Sequence, residues 1–220
     1  MKIPARFGMF VVLSWGAACA VAESRPNRPG KGAKGDLKMD LQTIATLVEK
    51  NELSELSWPM GQARKTLEAI PDAQAQLKML GADAARPWET RFKAYEAFFS
   101  LGGKLADEQE RRQAARLYAD AIANAPLHNP FELPETIKSG LASKNLLALG
   151  AEVVIPALRP LLKNPRPLVY EGSEEPTLAR LRKYRVADLA GALISALLHR
   201  PFPAAATTVK ERDEALQRLE

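Results

Sequence analysis

The chain is 220 residues long, and its hydrophobic fraction of 46% and charged fraction of 26% are ordinary for a globular protein. Its formal net charge of +5 comes from residues 1–38, because acidic and basic side chains balance over residues 39–220. A neutral remainder offers no electrostatic steering toward nucleic acid, so we expect no nucleic-acid partner. The single cysteine, Cys19, excludes a framework of disulfide bonds within the chain.

Residues 1–22 have the pattern of a secretory signal peptide. Lys2 and Arg6 form a basic start, residues 7–16 are mostly apolar, and Ala20-Val21-Ala22 is a small-x-small cleavage site. The apolar stretch is shorter than the roughly 20 residues that a membrane-spanning helix needs. We therefore expect an exported protein, periplasmic or secreted, whose mature chain begins at Glu23 and contains no transmembrane segment.

Cys19 permits a second interpretation, in which it is the lipidated first residue of a lipoprotein. The small residues Ala17 and Ala18 before it suit that signal, whereas Gly16 stands where an aliphatic residue is usual. Cleavage at Glu23 would instead leave a mature chain without cysteine, and hence without a thiol nucleophile or thiolate metal ligand.

Residues 23–38 are predicted to form a disordered basic linker. The segment is rich in proline and glycine and has no aromatic or β-branched residue, so it cannot bury enough apolar surface to fold. Two roles remain open for it: peripheral contact with an anionic envelope surface, or a solvated spacer. The first role would use the basic side chains of Arg25, Arg28, Lys31 and Lys34.

Residues 39–220 are predicted to form an all-α domain, with a sub-boundary near residues 130–145. Apolar residues recur there at helical spacing, and no segment alternates as a strand would. We expect one helix capped by Asp40, one that begins near Pro59 with Ser57 as its cap, and one over residues 73–80 that stops at Gly81. Further helices are predicted over residues 88–101, 107–124, 133–149, 153–162, 184–198 and 209–219.

Residues 95–128 resemble a single tetratricopeptide repeat. The resemblance implies a first helix with an aromatic residue, Leu-Gly and a large residue, and a second helix with alanines around an aromatic residue. The matching residues are Phe98, Leu101, Gly102, Leu105, Ala114, Tyr118, Ala121 and Pro126. We expect Ala114 and Ala121 where the two helices approach most closely, and Ala119 and Ala123 off this face.

Residues 145–202 resemble a HEAT-type repeat. Its first helix would follow Leu149-Gly150, with Pro160 shortening it, and its second helix would begin near Val186. A long insertion, Arg166 to Lys183, joins the two helices. Together the two resemblances imply antiparallel helix pairs stacked as a short α-solenoid, an architecture that often binds proteins and carries no chemistry of its own.

The residues that could support catalysis or metal binding are few. His128 lies in a turn and His199 at a helix end, and neither belongs to a zinc-binding motif such as H-E-x-x-H. No serine lies in the G-x-S-x-G motif of hydrolases. We therefore predict no catalytic, cofactor-binding or metal-binding residue.

Two features are candidates for binding. The long insertion carries acidic and then basic side chains, and these either contact a partner or pair with one another; the candidates are Tyr170, Glu171, Glu174, Glu175, Arg182 and Arg185. Trp58-Pro59 and Pro87-Trp88 are the second feature. An exposed tryptophan there would favour a peptide or glycan platform, whereas a buried one would close the end of its helix.

The sequence thus predicts an exported, non-enzymatic helical scaffold that binds another protein or an envelope component, without a cofactor. One alternative is a hydrolase whose site is assembled from scattered glutamate, arginine and histidine residues. A concave pocket holding a histidine and two other ionisable groups would favour it. The other alternative is a structural envelope protein anchored by lipid at Cys19.

Overall fold

The computed structural model describes residues 41–206 and 208–220. The predicted signal peptide, basic linker and Asp40 cap lie outside these residues. The described residues are all-α, and they contain no strand beyond one isolated bridge between Pro167 and Arg185. Their α-helices are α1 (Leu41–Lys50), α2 (Leu53–Ser57), α3 (Gln62–Glu68), α4 (Ala73–Ala82), α5 (Trp88–Ser100), α6 (Glu108–Asn124), α7 (Leu141–Leu147), α8 (Ala151–Leu158), α9 (Glu175–Arg182), α10 (Val186–Leu197) and α11 (Val209–Gln217).

Helices that lie near one another in the chain pack against each other. In chain order, α4 packs against α5, α5 against α6, α6 against α8, α8 against α10, and α10 against α11. Each helix directs its apolar stripe into one continuous core, as Ile44, Ala45 and Val48 of α1 illustrate. The predicted all-α class is confirmed.

The chain near Trp58 differs from the prediction of one helix starting at Pro59. Residues Leu53–Ser57 form the separate helix α2, and the Ser57 hydroxyl donates a hydrogen bond back to the Leu53 carbonyl instead of capping a later helix. Pro59 disfavours helical backbone at the residue before it, and Trp58 is extended at φ −77° and ψ 141°. Helix α3 therefore begins only at Gln62.

Gly81 does not end α4, as predicted, but lies inside it. The helix continues to Ala82, and a Cβ atom added at Gly81 would lie 2.9 Å from the ring of Tyr95. Glycine is used at this position because it lets α4 approach α5 closely, rather than for its conformational freedom.

Helix α5 ends earlier than the tetratricopeptide pattern implies. Gly102, at φ 82°, and the next residue donate backbone hydrogen bonds to the Phe99 and Phe98 carbonyls, which closes a Schellman motif. As a result Leu101, Gly102 and Leu105 follow α5 instead of lying on it. The second helix of the tetratricopeptide pattern corresponds to α6 and agrees better with the structure. Asp107 caps α6 by accepting a hydrogen bond from the Glu110 amide.

Ala114, Tyr118 and Ala121 of α6 are buried, as the tetratricopeptide resemblance implies. Ala119 was expected off this face, and it is buried as well, at only 7% exposed. Helix α6 contacts α8 as well as α5, so more than one of its faces is covered.

The prediction of a single helix over residues 133–149 is wrong for the first half of that range. A 3₁₀ turn (Asn129–Phe131) and a run of further turns precede α7, which begins after Gly140. The backbone of Phe131 passes so close that a Cβ atom at Gly140 would lie 2.8 Å from it. The Ser143 hydroxyl also donates a 2.6 Å hydrogen bond to the Phe131 carbonyl, which fixes α7 against this turn.

The C-terminal helices follow the prediction closely. Helix α8 gives way at Arg159 to a 3₁₀ helix (Arg159–Lys163), the shortening expected from Pro160. Helix α10 is almost wholly buried, because α8, this 3₁₀ helix and α11 all pack around it. The insertion between residues 166 and 183 contains α9, a helix that the sequence analysis did not predict.

Candidate functional site

Glu96 is a carboxylate within the core, on helix α5. It has no exposed surface. Its Oε1 atom accepts a hydrogen bond from the Tyr118 hydroxyl of α6 and a second, of 3.1 Å, from Asn145 Nδ2 of α7. Its Oε2 atom is buried without a hydrogen-bond partner among the described residues. Three helices therefore meet at one carboxylate that is only half satisfied.

Burial changes the acidity of this carboxyl group. Loss of hydration raises the pKa of Glu96 from its ordinary value of 4.5 to about 7, although the hydrogen bonds from Tyr118 and Asn145 act in the opposite direction. The Tyr118 hydroxyl stays protonated, because burial and the neighbouring Glu96 raise its pKa well above the ordinary value. Glu96 thus changes charge close to neutral pH.

Aromatic rings pack around Tyr118, the residue whose hydroxyl donates to Glu96. The Phe92 ring meets the Tyr118 ring edge-on at 5.1 Å between centroids and stacks against Phe131 at 5.7 Å. The Tyr118 ring contacts Phe131 in turn at 6.3 Å. Since these rings are buried in the core, the Tyr118 hydroxyl is presented to Glu96 in a fixed position.

A cavity of about 390 Å³, which we call the Trp58 cavity, has Glu96 in its lining. Leu53, Pro130 and Leu141 contribute apolar walls. Glu132 and Glu175 add two more carboxylates, and no described lysine, arginine or histidine lines the cavity. Its size is typical of sites that take a side chain or a small ligand. The cavity is therefore acidic as well as partly apolar.

Trp58 lies in the lining of this cavity and is 67% exposed. Met60, two residues later, is 77% exposed. Trp88, by contrast, is half-buried and packs against the core. Of the two tryptophan sites proposed from the sequence, only the first thus presents an open aromatic surface, because the pre-proline backbone at Trp58 leaves the helix.

The insertion that carries the predicted binding residues is fastened to the chain around the end of α6. The buried His128 ring donates from Nε2 to the Ile122 carbonyl at 3.1 Å and accepts at Nδ1 from the Val169 amide at 3.1 Å. Asn129 exchanges two hydrogen bonds with the Glu171 backbone. Burial lowers the pKa of His128, which keeps the ring neutral and able to accept.

The structure places the six predicted binding residues in different environments. Tyr170 is buried and its hydroxyl donates to the Glu132 carbonyl at 2.9 Å, although its ring reaches the Trp58 cavity. Glu171 and Glu174 are exposed. Glu174, Glu175 and Arg182 come together around a neighbouring open cavity of about 540 Å³, which Glu132 also lines.

Arg185 is a structural residue rather than a free binding group. Its guanidinium donates to both carboxylate oxygens of the fully buried Asp188 and to Asp213 of α11. Arg212 lies 3.2 Å from the same Asp188 as an ion pair and stacks 5.4 Å from the Tyr184 ring centroid. This network pairs Asp188 with two arginines and attaches α11 to α10.

A histidine and other ionisable groups also meet around a second open cavity, of about 600 Å³. His199, Glu135, Lys138 and Arg200 all line it. All four side chains are exposed, and no ion pair joins them within the described residues. The arrangement meets the condition that favours a hydrolase, but it supplies no buried acid or base.

Glu96 and Asn145 were not predicted from the sequence, whereas Trp58 was one of the two tryptophan sites proposed from it. A signal for Glu96 was present, because a carboxylate four residues after Phe92 and three before Phe99 stands on the apolar face of α5. Asn145 gave no comparable signal. Its role depends on how α7 meets α5, which no local pattern specifies.

Within the described residues, no group of three or more histidine, cysteine or acidic side chains is arranged to hold a metal ion. No single described helix is long and apolar enough to cross a membrane; α7 together with residues 151–163 reaches that length and composition only as a pair bent by 117°. Comparison with protein-family models, curated proteins and solved structures finds no significant match to this chain.

Proposed function

We propose that this chain is an exported, non-enzymatic helical scaffold that binds a protein partner through the Trp58 cavity. The observation that carries the proposal is the combination of an exposed tryptophan with an acidic, partly apolar cavity beside it. Large exposed apolar side chains at the rim of a cavity are typical of interaction sites, where tryptophan contributes strongly to binding energy.

The proposed scaffold belongs to the α-solenoid class, with one tetratricopeptide-like and one HEAT-like helix pair. Two features support this assignment: the buried small residues Ala114 and Ala121 on α6, and the packing of α10 on α8 and its 3₁₀ extension. Such scaffolds present concave surfaces to proteins. In this proposal the mature protein acts in the periplasm or outside the cell, and its basic segment keeps it near an anionic envelope surface.

Site-specific photocrosslinking tests the proposed surface. A photoreactive residue at Trp58 should give a discrete protein adduct in the native envelope. The same residue at Met79, which is 58% exposed on α4 and does not line the cavity, should not. Trp58→Ala should also abolish co-purification of the partner found in that adduct, measured without crosslinking. Identical adducts from both positions would show that the surface around Trp58 is not selective.

A hydrolase is the second candidate function, and the buried carboxyl group of Glu96 favours it most. A carboxyl group with a pKa near 7 that lines a cavity with a second carboxylate, Glu132, has the acidity of a general acid or base. Chromogenic glycoside, ester and peptide substrates at neutral pH test this candidate. Turnover that Glu96→Gln abolishes, without a change in folding, would replace the scaffold proposal.

A further inference from the structure

We infer that the Trp58 cavity recognises the side-chain ammonium of a lysine on the partner protein, with Oε2 of Glu96 as the acceptor at its floor. The inference rests on the proposed function and deepens it, because it names the chemical group that the scaffold binds.

Glu96, which lines the cavity, is incompletely hydrogen-bonded. The Tyr118 hydroxyl and Asn145 Nδ2 both donate to Oε1 of Glu96, whereas the buried Oε2 has no partner among the described residues. A buried carboxylate oxygen without a donor is costly, and native structures contain few of them. A ligand that brings a donor to Oε2 would remove this cost.

The charge of the lining decides which kind of donor fits. Glu96, Glu132 and Glu175 line the cavity, and none of its lining residues in the described part of the chain is basic. A positively charged donor is attracted to such a site, and an anion is repelled. Trp58 at the rim adds a ring face that attracts cations.

The geometry favours an ammonium over a guanidinium. Arginine pairs best with a carboxylate when two parallel hydrogen bonds reach both of its oxygens. Oε1 of Glu96 is already occupied by Tyr118 and Asn145, so only Oε2 remains. A lysine ammonium is a compact charge that a single oxygen can bind.

The walls of the cavity suit the remainder of a lysine side chain. Leu53, Pro130 and Leu141 offer apolar surface against which its methylene stem can pack. The exposed Trp58, which lines the cavity, and the nearby exposed Met60 provide apolar surface for the residues that flank the lysine. A polypeptide therefore uses more of this surface than a free amine does.

A pair of peptides tests the inference. Each is an acetylated peptide amide with a central residue between two leucines: lysine in one, and norleucine, which lacks the ammonium, in the other. Calorimetry at about pH 8, where Glu96 is ionised, gives both affinities for the intact protein. We expect the lysine peptide to bind at least about tenfold more tightly.

Two glutamate variants assign the preference to Glu96. Glu96→Gln keeps the size of the side chain but removes its charge, and it should abolish the preference for lysine over norleucine. Glu89→Gln is the matched control, because Glu89 is exposed on the same helix and does not line the cavity. It should retain the full preference.

Each remaining outcome separates this inference from the proposed function. Equal affinity for the two peptides, with binding still lost in Trp58→Ala, overturns the lysine assignment and leaves the scaffold proposal standing. A lysine preference that survives in Glu96→Gln also overturns it. If free acetyl-lysine amide binds as tightly as the lysine peptide, the claim that the ligand is a lysine within a polypeptide is overturned. Failure of both peptides to bind at millimolar concentration overturns the inference together with the proposed surface.

Discussion

Replacing Glu96 by glutamine should change how the stability of this protein depends on pH. The fully buried carboxyl group has a pKa of about 7 in the folded chain, against an ordinary value of 4.5. The folded state therefore binds its proton more tightly than the unfolded state does. Stability from this group is fully present below pH 4.5 and is lost as the pH rises to about 7.

The size of the effect follows from the difference between the two pKa values. One pKa unit corresponds to about 1.4 kcal/mol, so the rise from 4.5 to about 7 is equivalent to about 3 kcal/mol of unfolding free energy. Glutamine does not titrate, and its amide oxygen can still accept the hydrogen bond from Tyr118. Glu96→Gln should lose this pH dependence and gain stability relative to the native chain as the pH rises.

Urea unfolding at a series of pH values from about 4 to 8 measures the effect. The lowered pKa of the buried His128 produces the opposite slope, with stability rising as the pH increases through its titration. That contribution cancels when the native chain is compared with Glu96→Gln, since both retain His128. Glu89→Gln, which changes an exposed glutamate on the same helix, should behave like the native chain. Parallel stability curves for the native chain and Glu96→Gln would refute the reasoning.

Three further predictions concern the helix packing and the N-terminus. Ala121→Leu should overpack the buried face of α6 and cost about 1–3 kcal/mol in urea unfolding, whereas Ala123→Leu at a half-buried position should cost less; equal costs would contradict the packing. Arg212→Met should destabilise by about 3 kcal/mol, because it removes a buried partner of Asp188 and releases α11; unchanged unfolding would exclude that role. Mass spectrometry of the exported protein should find Glu23 as its first residue, and an acylated Cys19 would contradict cleavage there.

The helices that the sequence predicted best are those with strong local signals. Asp107 at the start of α6 and Pro160 after α8 act through their own backbone and nearest neighbours, so their effects could be read directly. The errors came where a distant residue decides the local structure. Gly81 lies within α4, where its missing side chain leaves room for the Tyr95 ring, and Gly140 stands before α7, where the Phe131 backbone leaves no room for a Cβ atom.

The candidate site was harder to predict, because its parts come from helices far apart in the sequence. Glu96, Tyr118 and Asn145 meet only after α5, α6 and α7 have packed. The sequence pointed instead to the charged insertion and the residues after it, yet some of those polar side chains make hydrogen bonds within the fold. Tyr170 donates to the Glu132 backbone, and Arg185 donates to Asp188. Charge in a sequence indicates interaction, and only the packing decides whether the partner is internal.

The position of Glu96 gives a physical reason to regard it as functional. A buried carboxylate with one unsatisfied oxygen lowers the stability of the folded chain at neutral pH, and an apolar residue of similar size would avoid that cost. Its partners Tyr118 and Asn145 relieve only one of the two oxygens. The remaining oxygen belongs to a residue that lines an open cavity whose other charged groups are also acidic. In the proposed complex a lysine ammonium would donate to this oxygen, so binding of the lysine peptide should raise the free energy of unfolding.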